Sequence, residues 1–168
     1  LNHQVNRGAY ATLAELRAAH DSLFEHWRGV ADGLPDSAML VEGDFAPFQR
    51  FANVFSAALN AGRGDWAEAF LDKRLHLLRD DKREAANNFC RAALHLHRRQ
   101  LADARNLAAQ VGRMGLFSYY EVKSLMLRIE LEDGQPERFE QLFAAFLEKQ
   151  RSEQTLTTHH LKGYRNFF

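Results

Sequence analysis

Apolar residues recur every three to four positions along most of the chain, which is the spacing of one face of an α-helix. Phe48, Phe51 and Phe55 form one such stripe. The pattern predicts helices at about 9–29, 45–61, 65–79, 82–98, 101–112, 118–133, 136–150 and 156–168. Most of the connections are only a few residues long, so we expect successive helices to pack as antiparallel hairpins.

Residues that favour helix starts support these boundaries. Asp65 and Asp81 are each followed by a glutamate three positions later. This is the spacing of a capping box, in which the aspartate would be the N-cap residue. Pro136 suits a first helical turn, where its missing N–H group is not needed.

The predicted helices repeat at a nearly constant interval. The first helices of successive hairpins start near 45, 82, 118 and 156, and the second helices start near 65, 101 and 136. Both series advance by about 35 to 37 residues, an interval typical of helical-hairpin repeats. A uniform shift of 35 residues aligns Phe55, Cys90 and Leu125. A single hairpin cannot bury so wide an apolar stripe, so the repeats are expected to stack.

The hairpin turns carry a resemblance to a known family. The first hairpin turns at Gly64-Asp65-Trp66, and Ala69 places a small residue early in the second helix. The turns at 99–101 and 134–136 fall at the same positions under the 35-residue shift. With the two-helix unit and its length, these residues resemble a divergent tetratricopeptide-repeat α-solenoid over about 45–150.

The resemblance implies an all-α fold of about eight helices, with antiparallel hairpins stacked in a right-handed superhelix. We expect one helical-repeat domain over 1–168, and the chain, which begins at Leu1 without Met, to be a fragment of a longer protein. Its expected parts are an N-terminal helix and connector (about 9–44), three hairpins (45–80, 81–117 and 118–152) and a truncated half repeat (153–168). Members of this family are mostly non-catalytic scaffolds that bind peptides along the groove of the first helices.

Composition and charge narrow the function classes. The chain has 24 Ala and 23 Leu but one Ile, six Val and four Thr, which favours helices over sheets. Its 22 basic and 22 acidic residues cancel, so it lacks the basic surplus of a dedicated nucleic-acid binder. No apolar run approaches the roughly 18 residues of a membrane helix. The single Cys90 excludes an intramolecular disulfide and predicts a reducing, cytoplasmic setting.

No pattern in the sequence predicts catalysis, a cofactor or a metal. His95 and His97 lie two positions apart, so they point to different sides of a helix. The clustered Cys and His spacing of zinc sites does not occur, nor does a Gly-x-Ser-x-Gly or a glycine-rich phosphate loop. We therefore predict a protein that is not an enzyme and holds no cofactor or metal.

A polar column on the first helices is the best candidate binding site. The 35-residue shift aligns eight polar residues, which are Asn53, Ser56, Asn60, Asn88, Arg91, His95, Lys123 and Glu130. They would form one strip on the face away from Phe55, where amides and arginine suit a peptide backbone and its carboxylates. The partner would be a protein or peptide. An ordinary solvent-exposed face without a partner would show the same pattern.

Two other functions stay open at this point. Leu161, Tyr164, Phe167 and Phe168 give the last predicted helix an apolar edge. Since the end of a solenoid needs a polar cap, this edge would pair with another copy of the chain unless further chain covers it. The basic cluster at 95–99 would suit a polyanion such as RNA or a nucleotide, although cations are also favoured at a helix C-terminus.

Overall fold

The computed structural model describes residues 12–33, 45–114 and 119–152, and within these ranges it is all α-helical, without a strand. The all-α prediction is confirmed. The seven α-helices are α1 (Leu13–Gly33), α2 (Phe48–Asn60), α3 (Gly64–Arg74), α4 (Asp80–His97), α5 (Leu101–Met114), α6 (Tyr119–Glu132) and α7 (Pro136–Ser152). The predicted connector at 34–44 and the predicted helix at 156–168, with its apolar edge, lie outside the described residues.

The helix starts differ from the predicted caps. α3 begins at Gly64 and α4 at Asp80, each one residue before the predicted N-cap, so Asp65 and Asp81 lie inside the first helical turn. Neither helix has a side-chain hydrogen bond at its N-cap. The two aspartates still favour these helix ends through the helix dipole. A capping box forms at α1 instead. There the Thr12 N–H donates to the Glu15 carboxylate at 2.9 Å, and the Glu15 N–H donates to the Thr12 hydroxyl at 3.2 Å.

Each helix contacts the next one along the chain, and α4 also contacts both α2 and α6. Arg91 in the middle of α4 binds Asp72 late in α3, whereas Arg98 after the end of α4 binds Glu68 early in α3. The later residue on α4 pairs with the earlier residue on α3, so these two helices are antiparallel. The helices that begin the three predicted hairpins therefore meet side by side, with α4 between α2 and α6.

The largest buried cluster joins α1 to α4. Its centre includes Phe51, Phe55 and Cys90, which are all 2% exposed or less. Leu125 is also buried, at 5% exposure, so the three residues aligned by the 35-residue shift are all core residues, as predicted. α1 is tied to the end of α3 by Arg74, whose guanidinium donates to the carbonyl of Ala31 at 2.8 Å.

Three turns between helices share one backbone conformation. Gly62, Arg99 and Gly134 all have positive φ, of 73°, 58° and 63°. In each turn the N–H of the following residue donates to the carbonyl five positions earlier, as in a Schellman C-cap. The three turns are therefore structurally equivalent. Gly62 and Arg99 lie 37 residues apart, whereas Arg99 and Gly134 lie 35 apart.

Substitutions at two of these equivalent turns should change stability in opposite directions. Arg99→Gly should raise the free energy of unfolding by up to ~1 kcal/mol, because glycine adopts positive φ without a Cβ penalty. The loss of the exposed Arg99–Glu132 ion pair offsets little of this gain. Gly62→Ala should lower stability by ~1 kcal/mol, although a Cβ there meets nothing within 4 Å. Urea unfolding of both variants checks this, and a stabilised Gly62→Ala variant would contradict it.

Candidate functional site

A groove of about 480 Å³ lies along α2, α4 and α6. α4 is the middle helix and supplies apolar side chains, with Phe89 and Ala93 half-buried and Leu96 buried. α2 and α6 form the two walls. The groove is thus built from the same three helices that begin the predicted hairpins, and its floor is apolar.

The α2 wall carries a line of polar side chains. Gln49, Asn53, Ser56 and Asn60 all line the groove. Their spacing of three to four residues puts them on one face of the helix. The amide of Gln49 donates to the carbonyl oxygen of Asn53 at 3.2 Å. This wall can both donate and accept hydrogen bonds over its whole length.

The α6 wall is charged. Glu121, Arg128 and Glu132 line it, and Glu132 forms an ion pair at 3.1 Å with Arg99 from the turn after α4. Ser124 lies between the first two of these and is 6% exposed. Its buried hydroxyl oxygen has no hydrogen-bond partner. A buried hydroxyl without a partner is costly, so Ser124 is a polar group that the packing of this wall leaves unsatisfied.

Three of the eight predicted site residues line this groove. They are Asn53, Ser56 and Asn60, all on α2. The remaining five residues, on α4 and α6, do not line it. The eight residues therefore do not form one common strip, and the binding role proposed for them stays a prediction.

The three predicted residues on α4 contact the second helices of the hairpins or the following turn. Asn88 is buried, and its amide donates to Gln110 on α5 at 3.4 Å. Arg91 binds Asp72 on α3 at 2.6 Å. The ring of His95 is hydrogen-bonded to Gln100 at 2.6 Å.

The two predicted residues on α6 also have intramolecular partners. The Lys123 ammonium lies 5.7 Å from the centre of the Tyr119 ring. Glu130 is 4% exposed, and both of its carboxylate oxygens accept hydrogen bonds from Arg105 on α5, at 2.8 and 3.0 Å. Glu130 therefore has a structural role in holding α5 against α6.

The eight predicted residues lie on different faces because the sequence alignment used a uniform shift of 35 residues. The equivalent turns show that the shift from α2 to α4 is 37 residues. A shift of 35 is two positions short, and two positions on a helix turn the side chain by about 200°. The 35-residue shift therefore selected residues on the face of α4 that is opposite to the groove. The shift from α4 to α6 is indeed 35. Lys123 and Glu130 on α6 are therefore equivalent to the α4 residues that face away from the groove.

The corrected alignment recovers groove residues that the sequence analysis missed. Ser56 becomes equivalent to Ala93 and Arg128, and all three line the groove. Asn60 likewise becomes equivalent to two groove residues, His97 and Glu132. The sequence held part of the missing signal, because Gly62, rather than Gly64, is the counterpart of Gly134, but these two glycines do not show which of the two repeats is longer.

The basic cluster at 95–99 is neutralised within the fold. Arg98 donates to Glu68 at 2.7 Å and to Asp65 at 3.1 Å. The hydrogen bond from Arg98 lowers the pKa of Glu68, and the same bond raises the pKa of Arg98. Arg99 is paired with Glu132. These pairs remove the positive potential that a polyanion would need at this site.

The described residues give little support for a reactive thiol, a metal site or a membrane-spanning helix. Cys90 is fully buried, and desolvation raises the pKa of its thiol well above the ordinary value. The thiol therefore stays protonated and unreactive in the folded state. In the described ranges no three or more His, Cys, Asp or Glu side chains are grouped so that they could hold a metal ion. None of the helices in those ranges combines the length and apolar character needed to cross a membrane.

Comparison of the chain with known protein families, curated proteins and solved structures finds no match.

Proposed function

We propose that this chain is a non-catalytic protein-interaction module that binds a peptide segment of a partner along the groove of α2, α4 and α6. The observation that carries the proposal is the groove itself, because structurally equivalent positions on three successive first helices line one continuous surface. Repeated contacts from α2 to α4 and from α4 to α6 support a tetratricopeptide-like stack as its architecture.

The composition of the groove suits a peptide. Phe89 and Leu96 offer an apolar floor, which gives binding energy through desolvation. The polar line on α2 spans about 16 Å, since Asn60 lies eleven positions after Gln49 and each position rises about 1.5 Å. Side-chain amides can satisfy the N–H and carbonyl groups of an extended backbone, whereas a helical partner satisfies its own.

An RNA or nucleotide partner is less well supported, because both arginines of the 95–99 cluster are paired with carboxylates. We also propose a reducing, cytoplasmic setting, which a single buried cysteine favours.

Selection from a displayed random peptide library tests the proposed function. We expect enriched peptides that bind the chain and slow amide hydrogen exchange in α2, α4 and α6 more than in α3, α5 and α7. Protection confined to other helices would contradict the proposal. Failure to enrich any peptide above a scrambled control would also contradict it.

A further inference from the structure

The α6–α7 hairpin exposes an apolar position that the preceding hairpin buries. The turns after α4 and α6 are equivalent and lie 35 residues apart, so Leu131 at the end of α6 is equivalent to Leu96 on α4. Leu96 is 6% exposed and belongs to a buried cluster with Leu125 and Ile129 of α6. Leu131 is 63% exposed. The last described hairpin therefore presents apolar surface at the position where the preceding hairpin receives another helix.

α7 makes this apolar face wider. Phe139 and Phe143 are equivalent to Ala104 and Ala108 on α5, which are fully buried in the same cluster against α6. The two phenylalanine rings stack with 5.7 Å between their centres, and both residues are half-buried. Because phenylalanines stand where α5 has alanines, the last hairpin offers more apolar side-chain surface to a following helix than the middle hairpin does.

The residues that follow α7 begin at the expected position for a further helix. α7 ends at Ser152, and the sequence predicts a helix over about 156–168. Tyr119, the first described residue of α6, moves to position 154 under one more shift of 35 residues. Another repeat of the observed interval therefore starts within two residues of this predicted helix.

Charge also matches this segment to the last hairpin. Arg105 on α5 binds the buried Glu130 of α6 at 2.8 Å. Glu140 is the equivalent of Arg105 on α7, is exposed, and forms no ion pair with another described residue. The same shift of 35 residues makes Arg165 the equivalent of Glu130. The arginine–glutamate pair between α5 and α6 would therefore recur between α7 and the segment, with its two charges exchanged.

Two of the three α6 residues in the cluster against α4 and α5 correspond to apolar residues of the segment. Leu161 takes the position of Met126, and Tyr164 takes that of Ile129. His160 takes the position of the third and is the polar exception. An apolar stripe and a basic residue in the segment thus match the apolar face and the acidic residue of the last hairpin.

We propose that the segment 156–168 docks as a helix, within its own chain, on the apolar face formed by Leu131, Phe139 and Phe143. Arg165 would pair with Glu140 at the edge of this face. Docking removes apolar side chains of both elements from water, which stabilises the contact. A docked segment also covers a surface through which two copies of the chain could associate, so we expect a monomer. The inference is independent of the proposed function, because no residue of this face lines the groove.

Cross-linking of the full chain tests the contact. The pair Glu140→Cys with Arg165→Cys should be joined within one molecule by a short bismaleimide, and peptide mass mapping identifies the product. The matched control is Arg138→Cys with Arg165→Cys. Residue 138 lies two positions from residue 140 and points to another side of α7, so its cross-linking should be several-fold weaker. The native Cys90 is fully buried and does not compete for the reagent.

Amide hydrogen exchange of the full chain tests the two components of the contact. Glu140→Arg and Arg165→Glu should each speed exchange in 156–168 several-fold, and the combined variant should restore the slow exchange, since the pair is remade with its charges exchanged. Leu131→Asp should also speed this exchange. Leu13→Asp is its matched control, because Leu13 on α1 is 62% exposed and should not affect the segment.

Four results would overturn the inference. They are equal cross-linking of the two cysteine pairs, no cross-link in either pair, exchange in 156–168 as fast as in an unfolded peptide, and exchange unchanged by Leu131→Asp. A cross-link between two chains, seen as a dimer on a denaturing gel, would assign the face to a second copy instead. Since none of these measurements involves the groove, each outcome leaves the proposed function to its own test.

Discussion

Replacing Arg105 by methionine should lower the free energy of unfolding by about 3 kcal/mol, because it leaves the Glu130 carboxylate buried without its counter-charge. The side chain of Glu130 is 5% exposed, and the Arg105 guanidinium meets both of its oxygens. A further bond at 2.6 Å joins Arg105 to Asp133. These bonds raise the pKa of Arg105 above its ordinary value, so the guanidinium stays charged at every accessible pH. Urea unfolding followed by circular dichroism measures the loss.

Two further variants distinguish the stability lost through a buried, unpaired charge from the stability lost through poorer packing. The double variant Arg105→Met with Glu130→Met should be clearly more stable than Arg105→Met alone, since no uncompensated charge remains. Arg98→Met is the matched control, because Arg98 also binds two carboxylates, Asp65 and Glu68, but on the surface. Its loss should be far smaller, since exposed ion pairs contribute little. Equal losses for the two single variants would contradict the burial argument.

The sequence predicted the helices well because helical periodicity is a local property. The second helix of each hairpin was predicted to start within one residue of its observed start, since Gly64, Leu101 and Pro136 follow short turns. Residues with strong apolar character, such as Phe55, were correctly assigned to the core. Both results need only the spacing of neighbouring residues along the chain.

The register between hairpins could not be obtained in the same way. α3 ends at Arg74 and continues as a short 3₁₀ turn, Leu75–Leu77, where the sequence predicted one helix to residue 79. The repeat containing α2 and α3 is two residues longer than the next one, and the sequence pattern does not show where the difference lies. A two-residue error leaves the helices intact but exchanges the faces of α4. The candidate site depends on these faces, so it was only partly recovered.

The burial of Glu130 shows a second limit of sequence reasoning. In sequence it belongs to an acidic helix end together with Glu132 and Asp133, which is typical of a solvated surface. Its partner Arg105 lies 25 residues earlier. Only the packing of α5 on α6 brings the two side chains together, and no local pattern predicts that contact.

Filling the groove with Ala93→Trp should weaken binding of a selected peptide by about 30-fold or more, a loss of roughly 2 kcal/mol typical of an interface hot spot. Ala93 lies on the middle helix and lines the groove, so the indole would occupy space that the peptide needs. Fluorescence anisotropy with a peptide enriched from the displayed library measures the Kd. The variant should keep its helical circular dichroism.

The matched control is Ala69→Trp, the same substitution at an exposed position on α3, which contributes no residue to the groove. It should leave the Kd unchanged. Because Ala93 is half-buried and also packs against core residues, Trp there could lower stability for reasons unrelated to binding. Ser56→Trp answers this point, since Ser56 is exposed on the α2 wall and its replacement blocks the same space without entering the core. If both groove variants fold and bind as tightly as the control, the peptide lies elsewhere. If both lose binding while Ala69→Trp retains it, the face shared by α2, α4 and α6 is the contact surface, because all three variants introduce the same side chain and only the first two place it in the groove.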